Sequence, residues 1–257
     1  MLPKGSGVLN MNFGKYIAHR GLHSKERPEN SLKAFESAAE KNISVELDVR
    51  LTKDCRMVVF HDDTLLRMCG VDEKVCDFTY DQLSAFRLGD SDEKIPLLSE
   101  VLKLIDGRVP MLIEIKSGAP FGELESRLNH LLKSYKGEYA VQSFDPFSLL
   151  WFRIKSPKTP RCQLISGYKK KFDVQYFGRK ICTFPIVWRL ISKPDFLSAD
   201  LRSISLETAF QAVDAGADLI TWTGRGRELI ETASQFSKTV IAENFPENFD
   251  FSDNWEE

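Results

Sequence analysis

Glu46 and Asp48 stand two residues apart in "VELDVRLT", and Glu114 and Lys116 repeat that spacing in "LIEIK". Side chains two apart on a strand point to the same side, so each pair shares a face. Three carboxylates at neighbouring strand ends repel one another unless positive charge lies among them. Buried without compensation, each would cost several kcal/mol. A hard divalent cation, Mg²⁺ or Ca²⁺, fits three oxygen donors with water completing its shell. Zinc fits less well, because it prefers nitrogen or sulfur. As plain ion pairs, the same residues would match Glu46 with Lys116 and Asp48 with Arg50.

Two of the four histidines also end apolar runs, His19 in "YIAHRG" and His61 in "MVVFHD". Two imidazoles beside a cation suit proton transfer, one taking a proton while the other delivers one to a leaving oxygen. Arg20 and Lys116 would meet an anionic group, most naturally a phosphate. His23 reads as an exposed loop residue and His130, inside "SRLNHLLKS", as a helix surface residue.

The elements that must gather these residues follow from the alternation of short apolar, β-branched runs with segments of helical period. "IAHR", "VELDV", "VPMLIEIKS", "YAVQSF", "RCQLIS", "DFLSAD", "DLITWT" and "TVIAEN" make eight strands of parallel type. In "SLKAFESAAEKN", Leu32, Phe35, Ala38 and Ala39 share a helical face, with Asn30 or Ser31 as cap. "LLSEVLKLI", "GELESRLNHLLKSY" and "SLETAFQAVDAG" read as further helices. Eight such units in 257 residues predict one domain over 1–257, a TIM (β/α)₈ barrel. The stretch 167–195 breaks the pattern.

One further run, "MVVFHD", follows the second strand across only "KDCR". That gap is too short for a parallel crossover, so the two runs form an antiparallel hairpin. With Asp54 and Cys55 at the turn, His61 would lie opposite Asp48. Residues 62–96 then read as a segment inserted between the second strand and its helix, on the catalytic face.

A formal net charge of -2 argues against nucleic acid as a partner. No apolar run reaches the roughly 18–20 residues of a membrane span. "MLPKGSGVLNMNF" lacks the apolar core of a secretory signal, and the five scattered cysteines read as reduced thiols. Both features lead to an expected cytoplasmic location. The basic "YKKK" with Arg179 and Lys180 reads as a solvated face, and "FPENFDFSDNWEE" as packing on the barrel base or as a tail.

The ordered motifs "HRG" (19–21), "PEN" (28–30), "ELDV" (46–49), "FHD" (60–62), "EIK" (114–116), "IPLLSEVL", "QSFDP" (142–146) and "WT" (222–223) resemble the glycerophosphodiester phosphodiesterase family. The resemblance implies hydrolysis of a small glycerophosphodiester to glycerol 3-phosphate and an alcohol. It implies His19 and His61 as acid–base pair, with Glu46, Asp48 and Glu114 holding one Mg²⁺ or Ca²⁺. Arg20 and Lys116 would bind phosphate, Trp222 would flank the glycerol, and Phe144 would lie nearby. Departures at "WTGRGR" and "IAENFPEN" bear on the substrate pocket more than on the reaction. A lysophospholipase D-like activity and a non-catalytic phosphate-ester binding barrel are the competing readings.

Overall fold

A computed structural model of the chain describes residues 11–116, 118–166, 190–202, 204, 212 and 216–255. Its eight parallel strands close into a barrel. In chain order they are β1 (Tyr16–Ala18), β2 (Ser44–Leu51), β4 (Met111–Ile115), β5 (Tyr139–Ser143), β6 (Arg161–Ile165), β7 (Phe196–Asp200), β8 (Asp218–Arg225) and β9 (Thr239–Glu243). β3 (Met57–Val59) is the antiparallel arm of the hairpin. The ring closes because β1 pairs with both β2 and β9, Ile17 lying opposite Ser44 and Ile241.

A period of two along the strands builds the interior in layers. Ile17, Leu112, Ala140, Cys162, Phe196, Ile220 and Ile241 form a buried apolar layer with Phe13. Two residues further along six of those seven strands come His19, Glu114, Gln142, Ser198, Trp222 and Glu243. The strands thus carry an apolar floor and a polar upper layer, and the second layer opens at the carboxyl ends. Alternate residues, including Val45, Leu47, Val49, Met111, Ile113 and Val141, face outward into the main core against the helices.

The described helices are α1 (Leu32–Glu40), α2 (Leu66–Cys69), α3 (Tyr80–Leu83), α4 (Leu98–Ile105), α5 (Glu123–Leu132), α6 (Pro146–Lys155) and α7 (Gly226–Ser234). Ser31 caps α1, its Oγ accepting from the Ala34 amide at 3.1 Å. Asn30, the other candidate cap, is used elsewhere. α2 and α3, with a 3₁₀ turn between them, belong to the inserted segment. That segment has its own buried core, which includes Phe60, Leu65, Val75, Leu83, Leu88 and Ile95.

The hairpin register differs from expectation by one residue. Val49 faces Val59 and Leu51 faces Met57, so Phe60, not His61, comes level with Asp48, and its amide donates to the Asp48 carbonyl at 2.9 Å. The loop holds three residues, 53–55, because Cys55 adopts a left-handed φ of 58° and the Thr52 amide bonds the Arg56 carbonyl. A three-residue loop with a left-handed final residue is a standard alternative to the two-residue turn.

After β9 the described chain forms no helix; an aromatic strap covers the outside of β1 instead. Phe245, Phe249 and Phe251 pack edge-on against Tyr16 at centroid distances of 6.1, 5.3 and 6.2 Å. Asn254 accepts from the Lys15 and Tyr16 amides, each at 2.7 Å. The terminal segment therefore lies along the seam where first and last strands meet. The helix expected in "SLETAFQAVDAG" falls mostly outside the described residues. So do most of 167–195, the "YKKK" cluster with Arg179 and Lys180, and Cys182. Cys55, Cys69, Cys76 and Cys162 are in no disulfide.

Candidate active site

Glu46, Asp48 and Glu114 come together as the strand spacing requires. Asp48 lies directly opposite Glu114 on adjacent parallel strands. One oxygen from each of the three lies within 4.8 Å of the others, and all three side chains are buried. Burial, reinforced by the charges of Asp48 and Glu114, pushes the Glu46 carboxyl well above the ordinary carboxylate range. Burial acts to raise Asp48 too, but Lys116, with His61 and Arg20, overrides it and holds Asp48 low. Three converging oxygen donors, one of them resisting ionisation, form a set that suits a hard divalent cation.

The partners of these acids differ from the ion pairs weighed from sequence. Lys116 Nζ bridges Asp48 Oδ1 at 2.9 Å and Glu114 Oε1 at 2.5 Å, rather than pairing with Glu46. Arg50 donates to the His61 carbonyl and lies 3.3 Å from Asp63. Gln142 Nε2 donates to Glu46 at 3.1 Å. Asn30, which has a left-handed φ of 58°, donates from Nδ2 to Asp48 Oδ2 at 2.8 Å. Asparagine tolerates that backbone region, so "PEN" serves to orient an acid rather than to cap a helix.

His19 leaves β1 into a tight turn. Its amide donates to Ala242, and Arg20 at φ 57° aims its own amide at Glu46 Oε2, 3.0 Å away. The Arg20 guanidinium bonds Glu29 at 2.6 Å and lies 3.4 Å from Asp48. Gly21 completes the turn at φ 81°, where a Cβ would come 2.8 Å from the Ala34 carbonyl carbon. Gly21→Ala is therefore expected to cost about 1–3 kcal/mol. Thermal unfolding of the variant checks this, and an unchanged midpoint would contradict the packing argument.

Each candidate histidine has a carboxylate behind it. His19 Nδ1 bonds Glu243, which also accepts from Arg225 Nε at 2.5 Å. His61 Nδ1 bonds Asp62 at 2.7 Å. In both rings Nδ1 faces its carboxylate, which leaves Nε2 for another partner. Burial, with Arg20 adding to it, lowers the His19 pKa from 6.5 against the opposing pull of Glu243. From Asp62 a chain of ion pairs runs through Arg67 to Glu29 and back to Arg20, with contacts of 2.6, 2.7 and 2.6 Å. The inserted segment thus braces the turn that carries His19.

Glu243, Asp62 and Arg67 were missed as site residues. Glu243 ends the last strand beside the first, so barrel closure was the signal that pointed to it. His23, expected in the open, is half-buried with Nε2 3.8 Å from Glu243, whereas His130 lies exposed on α5. Phe144 and Trp222 meet edge-on at 5.8 Å, and Trp222 Nε1 donates to the Ser198 carbonyl at 3.2 Å. No described helix is long and apolar enough to cross a membrane.

A family model described as "Glycerophosphoryl diester phosphodiesterase family" matches residues 19–247. The glycerophosphodiester phosphodiesterase of Caldanaerobacter subterraneus subsp. tengcongensis is 40% identical over 191 residues, 68% of this chain and 78% of that protein. YhdW of Bacillus subtilis is 37% identical over 153 residues; the match spans 56% of this chain but only 63% of YhdW. A solved Oleispira antarctica phosphodiesterase, in complex with the product sn-glycerol-3-phosphate, superposes with a TM-score of 0.74 at 21% identity. That likeness in fold covers 90% of this chain and 93% of the other. With its motifs in order along a closed (β/α)₈ barrel and the family match running almost from end to end, the chain belongs to the glycerophosphoryl diester phosphodiesterase family.

Proposed function

We propose that this protein hydrolyses glycerophosphodiesters to glycerol 3-phosphate and an alcohol, using a divalent cation and a pair of histidines. The observation that carries this reading is the convergence at one barrel mouth of three buried carboxylates and two carboxylate-backed imidazoles. Glu46, Asp48 and Glu114 would hold one Mg²⁺ or Ca²⁺, which when bound supplies charge to offset that developing on the phosphoryl oxygens.

His19, with its pKa lowered, suits the base: Nε2 takes the proton of the attacking oxygen as it bonds to phosphorus. That oxygen is either water's, attacking directly, or the free glycerol hydroxyl's, whose cyclic phosphate water then opens to glycerol 3-phosphate. His61 suits the acid, passing its Nε2 proton to the leaving oxygen as the P–O bond breaks. Glu243 and Asp62 keep Nδ1 of each ring occupied, so both transfers use Nε2. Lys116 and Arg20 add positive charge for the diester, and the Phe144–Trp222 corner offers an apolar wall for the glycerol.

The test is release of glycerol 3-phosphate from glycerophosphocholine and glycerophosphoethanolamine, with EDTA and with restored cation. Release stopped by EDTA and restored by Mg²⁺ or Ca²⁺ is the expected result. If folded, cation-supplied protein releases nothing from either, the reading is wrong; lysolipids are then the next substrates to try, and a binding role follows if those fail.

A further inference from the structure

The cation cluster has a neighbour that the chemistry above leaves unused. A cavity of about 690 Å³ lies between the hairpin loop, the inserted segment and the loop that follows β4. Lys116 belongs to both places, since it lines this cavity while its ammonium touches Asp48 and Glu114. A phosphodiester seated at the cluster therefore has one ester arm that can pass Lys116 into the cavity. The Phe144–Trp222 corner, just past β5 and on β8, is left to the other arm. The volume suits a small polar alcohol.

The charge of the walls says which alcohol. Arg50, Lys53, Lys74 and Lys116 line the cavity against only two acids, Asp63 and Glu123. Lys116 is offset by Asp48 and Glu114, and Asp63 is shared by Arg50 at 3.3 Å and Lys74 at 3.1 Å, so the remaining positive excess lies toward the Lys53 and Lys74 side. None of the described lining residues is aromatic, so the site lacks the ring faces that favour a quaternary ammonium. Excess cationic charge in a partly enclosed space favours an anion instead.

Resting on the phosphodiesterase reading, we propose that this cavity receives the leaving alcohol and selects alcohols that carry an anionic group of their own. The inserted segment contributes Asp63 and Lys74, so it takes part in substrate choice as well as bracing the histidines. Arg50 and Lys116 stand nearest the reacting diester. Lys53 and Lys74 form the outer rim, where a second phosphate or carboxylate would sit.

A matched pair of substrates tests this: glycerophosphoglycerol, with one phosphate, and bis(glycerophospho)glycerol, with two. Both release glycerol 3-phosphate, and the second has two equivalent ends. At low ionic strength kcat/KM is expected to favour the two-phosphate substrate by about tenfold beyond that statistical factor, the advantage shrinking as salt is raised. The Lys53→Gln/Lys74→Gln variant should bring the ratio close to the statistical value while leaving kcat/KM for glycerophosphoglycerol as it was. Circular dichroism confirms its fold, and Lys53→Gln alone should give an intermediate ratio. A statistical ratio in the parent protein, or a larger ratio that both variants leave untouched, would overturn the assignment. Cleavage of neither substrate with cation present would overturn the phosphodiesterase reading itself, and the cavity's role with it.

Discussion

Replacing His19 with alanine is expected to lower kcat about a thousandfold, the middle of the range for a lost acid–base group. The barrel should survive, because Glu243 keeps Arg225 as a partner at 2.5 Å and the His19 backbone bond to Ala242 does not depend on the side chain. Cation affinity should be unchanged, since His19 is not one of the three clustered acids. Turnover by the variant, its circular dichroism and rescue by added imidazole together separate a chemical role from a structural one. Retention of more than about a tenth of the activity would remove His19 from the mechanism.

The same residue makes a claim about pH. As the proposed base, His19 must be deprotonated to act, so the acid limb of the rate profile is expected to follow its pKa. Burial lowers that pKa from 6.5, which places the limb on the acid side of an ordinary histidine. Glu243 pulls the other way. Glu243→Gln should therefore move the limb to still lower pH while reducing kcat through a less firmly held ring. A limb that stayed in place would show that Glu243 neither contacts nor tunes His19 in solution.

The second large effect concerns Glu46. Glu46→Gln should nearly abolish activity, at least about a hundredfold, since even indirect supports of a metal site commonly contribute ten- to hundredfold. The same change should stabilise the chelator-treated protein by about 1–2 kcal/mol, the usual gain from relieving a strained functional position. Glu46 is raised well above 4.5 by burial and by two neighbouring acids. A raised carboxyl stabilises the fold below its unfolded value and loses that contribution as pH climbs through its folded value. At neutral pH and above, the glutamine lacks that penalty. Its amide also fits, because Gln142 Oε1 accepts no hydrogen bond and can turn to receive it while the carbonyl keeps the Arg20 amide. A midpoint shift of about 2–8 °C in EDTA, upward and larger at pH 8 than at pH 5, is the expected reading. A downward shift would mean that Glu46 is charged and well compensated without a cation.

Much of the barrel could be read in advance, and the reason is local. Strands buried on both faces show as short β-branched runs, and helices between them show their period. Glu46, Asp48, Glu114 and Lys116 were visible for the same cause, since a period of two acts within five residues. The hairpin register was harder, because Cys55 takes a left-handed conformation that its residue type does not announce. Asn30 and Glu243 were harder still, as each acts on a partner placed by tertiary structure, whereas Asp62 adjoins its partner His61 in sequence. Asn30 reaches Asp48 across 18 positions and Glu243 reaches His19 across 224. Spacing along a chain carries no trace of such pairs, which exist only once the ring closes.

That seam, with β1 held between β2 and β9, also sets a schedule. At ordinary rates of synthesis the 224 positions between His19 and Glu243 take about 10–45 s to make. During all that time β1 has at most one neighbour instead of two and His19 has no carboxylate behind it. The carboxylates of Glu46, Asp48 and Glu114 can gather well before the ring shuts; a finished His19 cannot. A nascent chain can thus acquire its acid cluster early, while the His19–Glu243 pair waits for the last strand.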